Sequence, residues 1–113
     1  MTNSKRLTIL TSEEITHLYG IPSFNDNERA DFFYLESVER KIVDELASAA
    51  VRINFILQLG YFKARGYFFD FTFLEVRHDA WYIINRYFPE TKFPKKQLSN
   101  YQHYTNKKRI LAL

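Results

Sequence analysis

Apolar residues fill every face of one stretch of this chain. Between Ala47 and Tyr67, Val51, Ile53, Phe55, Ile56, Leu57, Leu59, Tyr61 and Phe62 point all round a helical wheel. A helix patterned this way has no solvent side and needs neighbours on several sides. The pattern therefore predicts a central helix over 47–65 with the other elements packed onto it. Arg52, Lys63 and Arg65 interrupt it, so it is too short and too charged to span a bilayer. Gly66 is placed to close it, and the small run Ala47-Ser-Ala-Ala50 allows another backbone to approach its start.

The flanking segments alternate between caps and amphipathic stripes. Residues 1–10 read as a mobile arm ending in a short apolar anchor, Leu7–Leu10. Thr11 with Glu14 makes a capping box, and Leu10 with Ile15 has hydrophobic-staple spacing. This short helix stops at Gly20 and Pro22. Asn25 with Glu28 caps a second short helix, which ends in the aromatic cluster Phe32, Phe33, Tyr34. Over Glu36–Leu46, Val38, Ile42 and Leu46, with Val43 alongside, form an i, i+4, i+8 stripe expected to face the core.

Beyond the central helix, Tyr67–Phe71 is aromatic and β-prone, fit for a short extended link. Thr72 with Glu75 is another capping box, expected to start a helix that runs to about Tyr87. Its buried stripe is Phe73, Val76, Ala80, Ile83, Ile84 and Tyr87, with Leu74, Trp81 and Phe88 on a flank. Pro89 and Pro94 bracket a Lys-rich loop. Either Ser99 or Thr105 caps a final helix with Ile110, Leu111 and Leu113 on its apolar side. The pattern stops at the last residue without a C-cap signal, as expected of a truncated piece of a longer protein. The fold expected is all-α: one domain over residues 1–113, five to six helices around the central one.

Composition narrows the chemistry. The chain has 113 residues and no Cys, which excludes a disulfide framework, thiol chemistry and a zinc–thiolate site. No apolar leader or membrane-spanning run is present, and a reducing cytoplasmic location fits. His17, His78 and His103 are scattered and form no metal-ligand spacing. The glycines at 20, 60 and 66 form no phosphate loop. The carboxylates sit at helix starts and on polar faces, where capping and solvation account for them. No cofactor is expected, and an independent enzyme has only scattered His, Asp and Glu behind it.

Charge changes the picture more. The net +3 divides into +2 over residues 1–11, −4 over 12–88 and +5 over 89–113. A basic end on an acidic body points to an anionic partner, and a solvated tail is the alternative. Lys95 to Arg109 interleaves basic residues with amides, hydroxyls and Tyr, the mixture that nucleic-acid surfaces use. A helix starting near Thr105 would bring Asn106, Lys107 and Arg109 to its first turn, where backbone N–H groups favour phosphate. The candidate DNA-binding residues are therefore Lys95, Lys96, Asn106, Lys107, Lys108 and Arg109, with Lys5 and Arg6 as a groove-reaching arm. Lysines would meet phosphates; Arg109 and Asn106 would read bases. On the central helix, Arg52, Asn54, Gln58 and Arg65 are either a recognition face or its least buried edge. The alternative to DNA binding is a helical protein–protein docking module, presenting Phe68, Phe69 and Phe71 as exposed aromatics.

Several stretches, in order, carry a family resemblance. They are Leu10-Thr-Ser-Glu-Glu-Ile15, Leu18-Tyr-Gly-Ile-Pro22, Arg52-Ile-Asn-Phe-Ile-Leu-Gln-Leu-Gly-Tyr-Phe-Lys63, Phe73-Leu-Glu-Val76, Tyr87-Phe-Pro89 and Asn106-Lys-Lys-Arg-Ile-Leu111. From about residue 7 to the end, the chain resembles the N-terminal domain of Tn-three-family transposases, the class II replicative transposases of bacteria. The resemblance implies a helical, helix-turn-helix-like region that recognises the terminal inverted repeats of a transposon as double-stranded DNA. It also implies that the catalytic carboxylate triad and its divalent metals lie in a distant C-terminal region not contained in this chain. Self-association, or docking onto the rest of a transposase, is the further partner expected.

Overall fold

Helices α1 (Asp26–Phe32), α2 (Ser37–Glu45), α3 (Ala49–Arg65), α4 (Arg77–Tyr87) and α5 (Asn100–Leu111) follow one another along the chain. They come from a computed structural model that describes residues 11, 12 and 20–113; among these residues there is no strand. The expected helix after Thr11, with its capping box and staple, lies outside the described residues, as do Lys5 and Arg6. Each of the other four helices packs against α3.

The centre of the fold follows from the apolar pattern. Ser48 caps α3 by accepting the Val51 N–H, and Gly66 ends it in the left-handed conformation at φ +80°. Residues Ile53 to Tyr61 are buried without a break. Burial of Ile53, Phe55, Ile56 and Leu57 contributes roughly 1.5–3 kcal/mol per side chain. Phe24, Phe33, Phe69 and Phe71 ring Tyr61, with centroids 5.5–5.9 Å from its own. Those separations are favourable for tilted and edge-to-face aromatic packing. Gly60 is where α3 meets Phe33: a Cβ there would lie 2.4 Å from Cε1 of that ring.

Four polar ties pin the other elements to this core. Gln58 donates to the Phe69 carbonyl at 2.6 Å and accepts from the Phe69 N–H at 3.4 Å. Tyr87 donates to the Phe33 carbonyl at 2.7 Å and accepts from the Leu35 N–H at 3.1 Å, fixing α4 to the α1–α2 junction. Asp79 is buried, accepting from Tyr61 and, at 2.7 Å, from Arg29. The bond to Asp79 raises the Arg29 pKa, and burial followed by the Asp79 charge raises that of Tyr61, so both remain protonated donors. Glu39 accepts from the Glu36 N–H at 2.9 Å and pairs with Lys63 at 3.0 Å.

The expected elements appear with three shifts. On α2, Val43 and Leu46 are buried, but Val38 is 66% exposed and Glu39 takes the inward position. The cap and ion pair that Glu39 makes turn the stripe by one residue. Thr72 and Glu75 do form reciprocal capping bonds, but they close a turn over 73–76, and α4 starts at Arg77. Phe73 and Val76 are still buried, so the predicted apolar stripe survives the later start. The third shift concerns Asn54 and Gln58. Both are about 1% exposed, so they form neither a recognition face nor a least buried edge.

Candidate nucleic-acid interface

Ser99, not Thr105, starts the last helix. The Ser99 hydroxyl accepts from the Gln102 N–H, and Gln102 accepts in return from the Ser99 N–H. Thr105 instead donates to the Tyr101 carbonyl inside the helix. Asn106, Lys107 and Arg109 consequently lie in the second half of α5, away from its N-terminal amides, and helix-end phosphate binding does not involve them.

The seam of α5 against α3 is partly polar. Asn106 is fully buried: its amide donates to Asn54 Oδ1 at 3.0 Å and to the Val51 carbonyl at 3.2 Å. Its own oxygen accepts from Arg109 at 3.3 Å. Asn106 is therefore corrected from base reader to core residue, and the guanidinium of Arg109 is partly committed to holding it. Ile110, one turn on, is buried beside this seam, whereas Leu111 and Leu113 are exposed. Lys107 also leans inward. Its ammonium is 3.7 Å from Asp70 and 5.8 Å from the centre of the Phe68 ring. His103, one turn earlier, has a lowered pKa, chiefly from burial and then from Lys107.

The outward face is set by the same register. Tyr101 is 75% exposed and Tyr104 58%; with Lys108 and Leu111 they occupy one stripe at helical spacing. The Lys108 ammonium lies 5.4 Å from the centre of the Tyr104 ring. The sequence α5 contributes has no carboxylate. Lys95 and Lys96 are exposed just ahead of the Ser99 cap, so ammonium groups flank both ends of this face. Tyr101 and Tyr104 were absent from the candidate set. The helical wheel identifies them once Ser99 fixes the start and Asn106 the inward direction.

The ion pairs sort the cations. Arg29, Arg40 and Lys63 each pair with a carboxylate of the body, and Lys107 pairs with Asp70. Among the described residues no carboxylate pairs with Lys92, Lys95, Lys96, Lys108 or Arg109. The excess charge of the C-terminal segment is thus left for solvent or a partner.

A family described as a domain of unknown function, DUF4158, has a model that matches residues 9–113. The chain belongs to this family. No curated protein and no solved structure matches it. The match takes in all five described helices of this DUF4158 domain, including α5.

The features named for other readings fare differently. Phe69 and Phe71 are buried around Tyr61, and Phe68 stacks on Phe62 at 4.8 Å, so 68–71 does not present an apolar patch. Glu75, His78 and Asp79 line a cleft of about 240 Å3 with Arg29, but Asp79 is already held by Arg29 and Tyr61. Among the described residues no three His, Asp or Glu side chains converge to hold a metal ion. No described helix is long and apolar enough to cross a membrane.

Proposed function

We propose that this domain is the DNA-binding portion of a Tn-three-family transposase, engaging the double-stranded DNA of transposon ends in the cytoplasm. Catalysis in such a protein would belong to a separate region. The observation that carries this reading is the outward face of α5. Tyr101, Tyr104 and Lys108 line it, Lys95 and Lys96 precede it, and the helix has no acid to repel phosphate. Lys95, Lys96 and Lys108 would neutralise phosphates, and the Tyr hydroxyls would bond phosphate or sugar oxygens. Base reading would fall to Arg109 and Gln102, with Asn106 behind them holding the helix in register.

A titration of labelled duplex tests it, with terminal-repeat and scrambled sequences at two salt concentrations. The expected result is tighter binding to the repeat that weakens with salt. Equal, salt-sensitive binding to both would leave a positioning surface without base reading. Absence of binding to either duplex at low salt would refute the proposal.

A further inference from the structure

Helix α4 exposes a second surface, one that the duplex reading does not use. Its outward stripe consists of Arg77, His78, Trp81 and Asn85, all exposed, with Leu74 one turn ahead. The only carboxylate of α4, Asp79, is turned inward to Arg29 and Tyr61. The residues of the stripe itself are therefore cationic or neutral; the nearest acid, Glu75, lies at its edge in the cleft with His78 and accepts from the Thr72 N–H.

Trp81 is the chain's single tryptophan, and it is 45% exposed. The ring of Phe93 packs beside it at 5.2 Å and a 43° tilt, so one side of the indole is supported and the remainder faces solvent. Phe93 sits in the loop 89–98, where Lys92, Lys95 and Lys96 are exposed and pair with no carboxylate among the described residues, against one acid in the loop, Glu90. A braced aromatic plane with ammonium groups on neighbouring residues suits a ligand that is both flat and anionic. Unpaired nucleotides have those two properties together: a free π-face for the indole and a phosphate for the lysines. Duplex DNA does not, because its bases are stacked on one another. An acidic peptide has the charge without the flat rings.

We infer that Trp81, braced by Phe93, with Arg77 one turn before it on α4 and Lys92 next to Phe93 in the chain, forms a stacking site for single-stranded nucleic acid. The site goes beyond the α5 reading and does not depend on it. Indole–base stacking supplies affinity without strong sequence preference, and the cations track the backbone.

The single tryptophan makes the test direct. The full chain is titrated with oligothymidylate, with a blunt duplex of equal length and with polyglutamate, following tryptophan fluorescence. Oligothymidylate should quench Trp81 saturably at low salt, and the duplex and polyglutamate should not. With a labelled oligothymidylate, Trp81→Leu should weaken binding roughly tenfold and Trp81→Phe should retain most of it. Lys92→Ala should lower the salt slope by about 0.7. Lys108→Ala should leave the oligothymidylate quenching unchanged while weakening duplex binding, which separates the two sites. Should Trp81→Leu fail to fold, the wild-type quenching and the Lys92→Ala slope decide the matter alone. Lack of saturable quenching by oligothymidylate, or equal quenching by polyglutamate, overturns the inference; the latter would make the face a dock for acidic protein.

Discussion

Replacing Asn106 by Ala separates the two roles this residue has been given. As a base reader it would be dispensable to stability and essential to binding. As a core residue it should be the reverse. The side chain is fully buried and donates two hydrogen bonds, to Asn54 Oδ1 and the Val51 carbonyl. Each such bond is worth roughly 1 kcal/mol net, and a buried acceptor left without a donor costs about 1–3 kcal/mol. Allowing for overlap between these terms, Asn106→Ala should destabilise the domain by about 2–4 kcal/mol. At an m-value of about 2 kcal/mol/M, the urea midpoint should fall by roughly 1–2 M with the slope unchanged. Asn106→Asp should fare worse, because a carboxylate would face two acceptor oxygens in a buried site. Circular dichroism against urea gives the midpoints. Duplex binding is then measured under conditions where the variant remains folded. Near-wild-type affinity there, with the lowered midpoint, is the expected pair of results. A variant within about 0.5 kcal/mol of wild type that has lost duplex binding would refute the buried placement of Asn106.

Other perturbations probe different parts of the same structure. Gly60→Ala would gain about 1 kcal/mol of helix propensity in an open site, but Phe33 Cε1 lies 2.4 Å from the new Cβ and the Phe32 carbonyl 3.2 Å. With Phe33 itself locked by Phe24 and Tyr61, overpacking should win and lower stability by about 1–3 kcal/mol in urea unfolding. Lys95→Ala, Lys96→Ala and Lys108→Ala combined should flatten the log–log salt dependence of duplex binding by about 2.7, at 0.9 per phosphate contact. His103 titrates below its ordinary value in the folded chain, so the unfolded chain takes up the proton first. Stability should therefore be complete above the ordinary His pKa and fall as pH drops through it towards the lowered folded value, and His103→Gln should remove that part of the pH dependence of Tm.

The local signals were legible in the sequence because their partners are local. The Asn25–Glu28 and Thr72–Glu75 pairs each join residues three apart, and both form their reciprocal bonds. Gly66 and the all-round apolar run over α3 likewise needed no distant information. Polar burial was illegible for the opposite reason. Gln58 is satisfied by a backbone 11 residues away, Asn54 by a side chain 52 residues away, and Glu39 by Lys63 across 24 residues. A polar residue among apolar ones reads as an exposed edge until its partner is known. The same ignorance misdirected α5, where Asn106 looked free because Asn54 was not known to face it. Ser99 and Thr105 are both good caps by residue type, and the Gln102 three residues after Ser99, where Thr105 has Lys108, is the local signal that separates them. Once Ser99 was fixed, Tyr101 and Tyr104 came to the outward face.

Charge placement follows from this division of partners. Many carboxylates in the body of the fold have partners: Glu28 and Glu39 cap helix starts, Glu75 caps a turn, and Asp79, Asp44 and Glu39 pair with Arg29, Arg40 and Lys63. Solubility alone is best served by mixed signs spread over a surface. Here the mixture thins to a single acid, Glu90, past the end of α4. Past it, among the described residues, Lys92, Lys95, Lys96, Lys108 and Arg109 carry no carboxylate partner, while Asp70 reaches Lys107. Surface pairs of this kind are worth less than about 1 kcal/mol, so leaving those cations unpaired costs the fold little. What it does create is a one-signed surface alongside two outward tyrosines and a half-exposed tryptophan. A solvated tail would need charge but no exposed aromatic rings. Nucleic acid uses both, and that combination favours a nucleic-acid partner over solvent for this end of the domain.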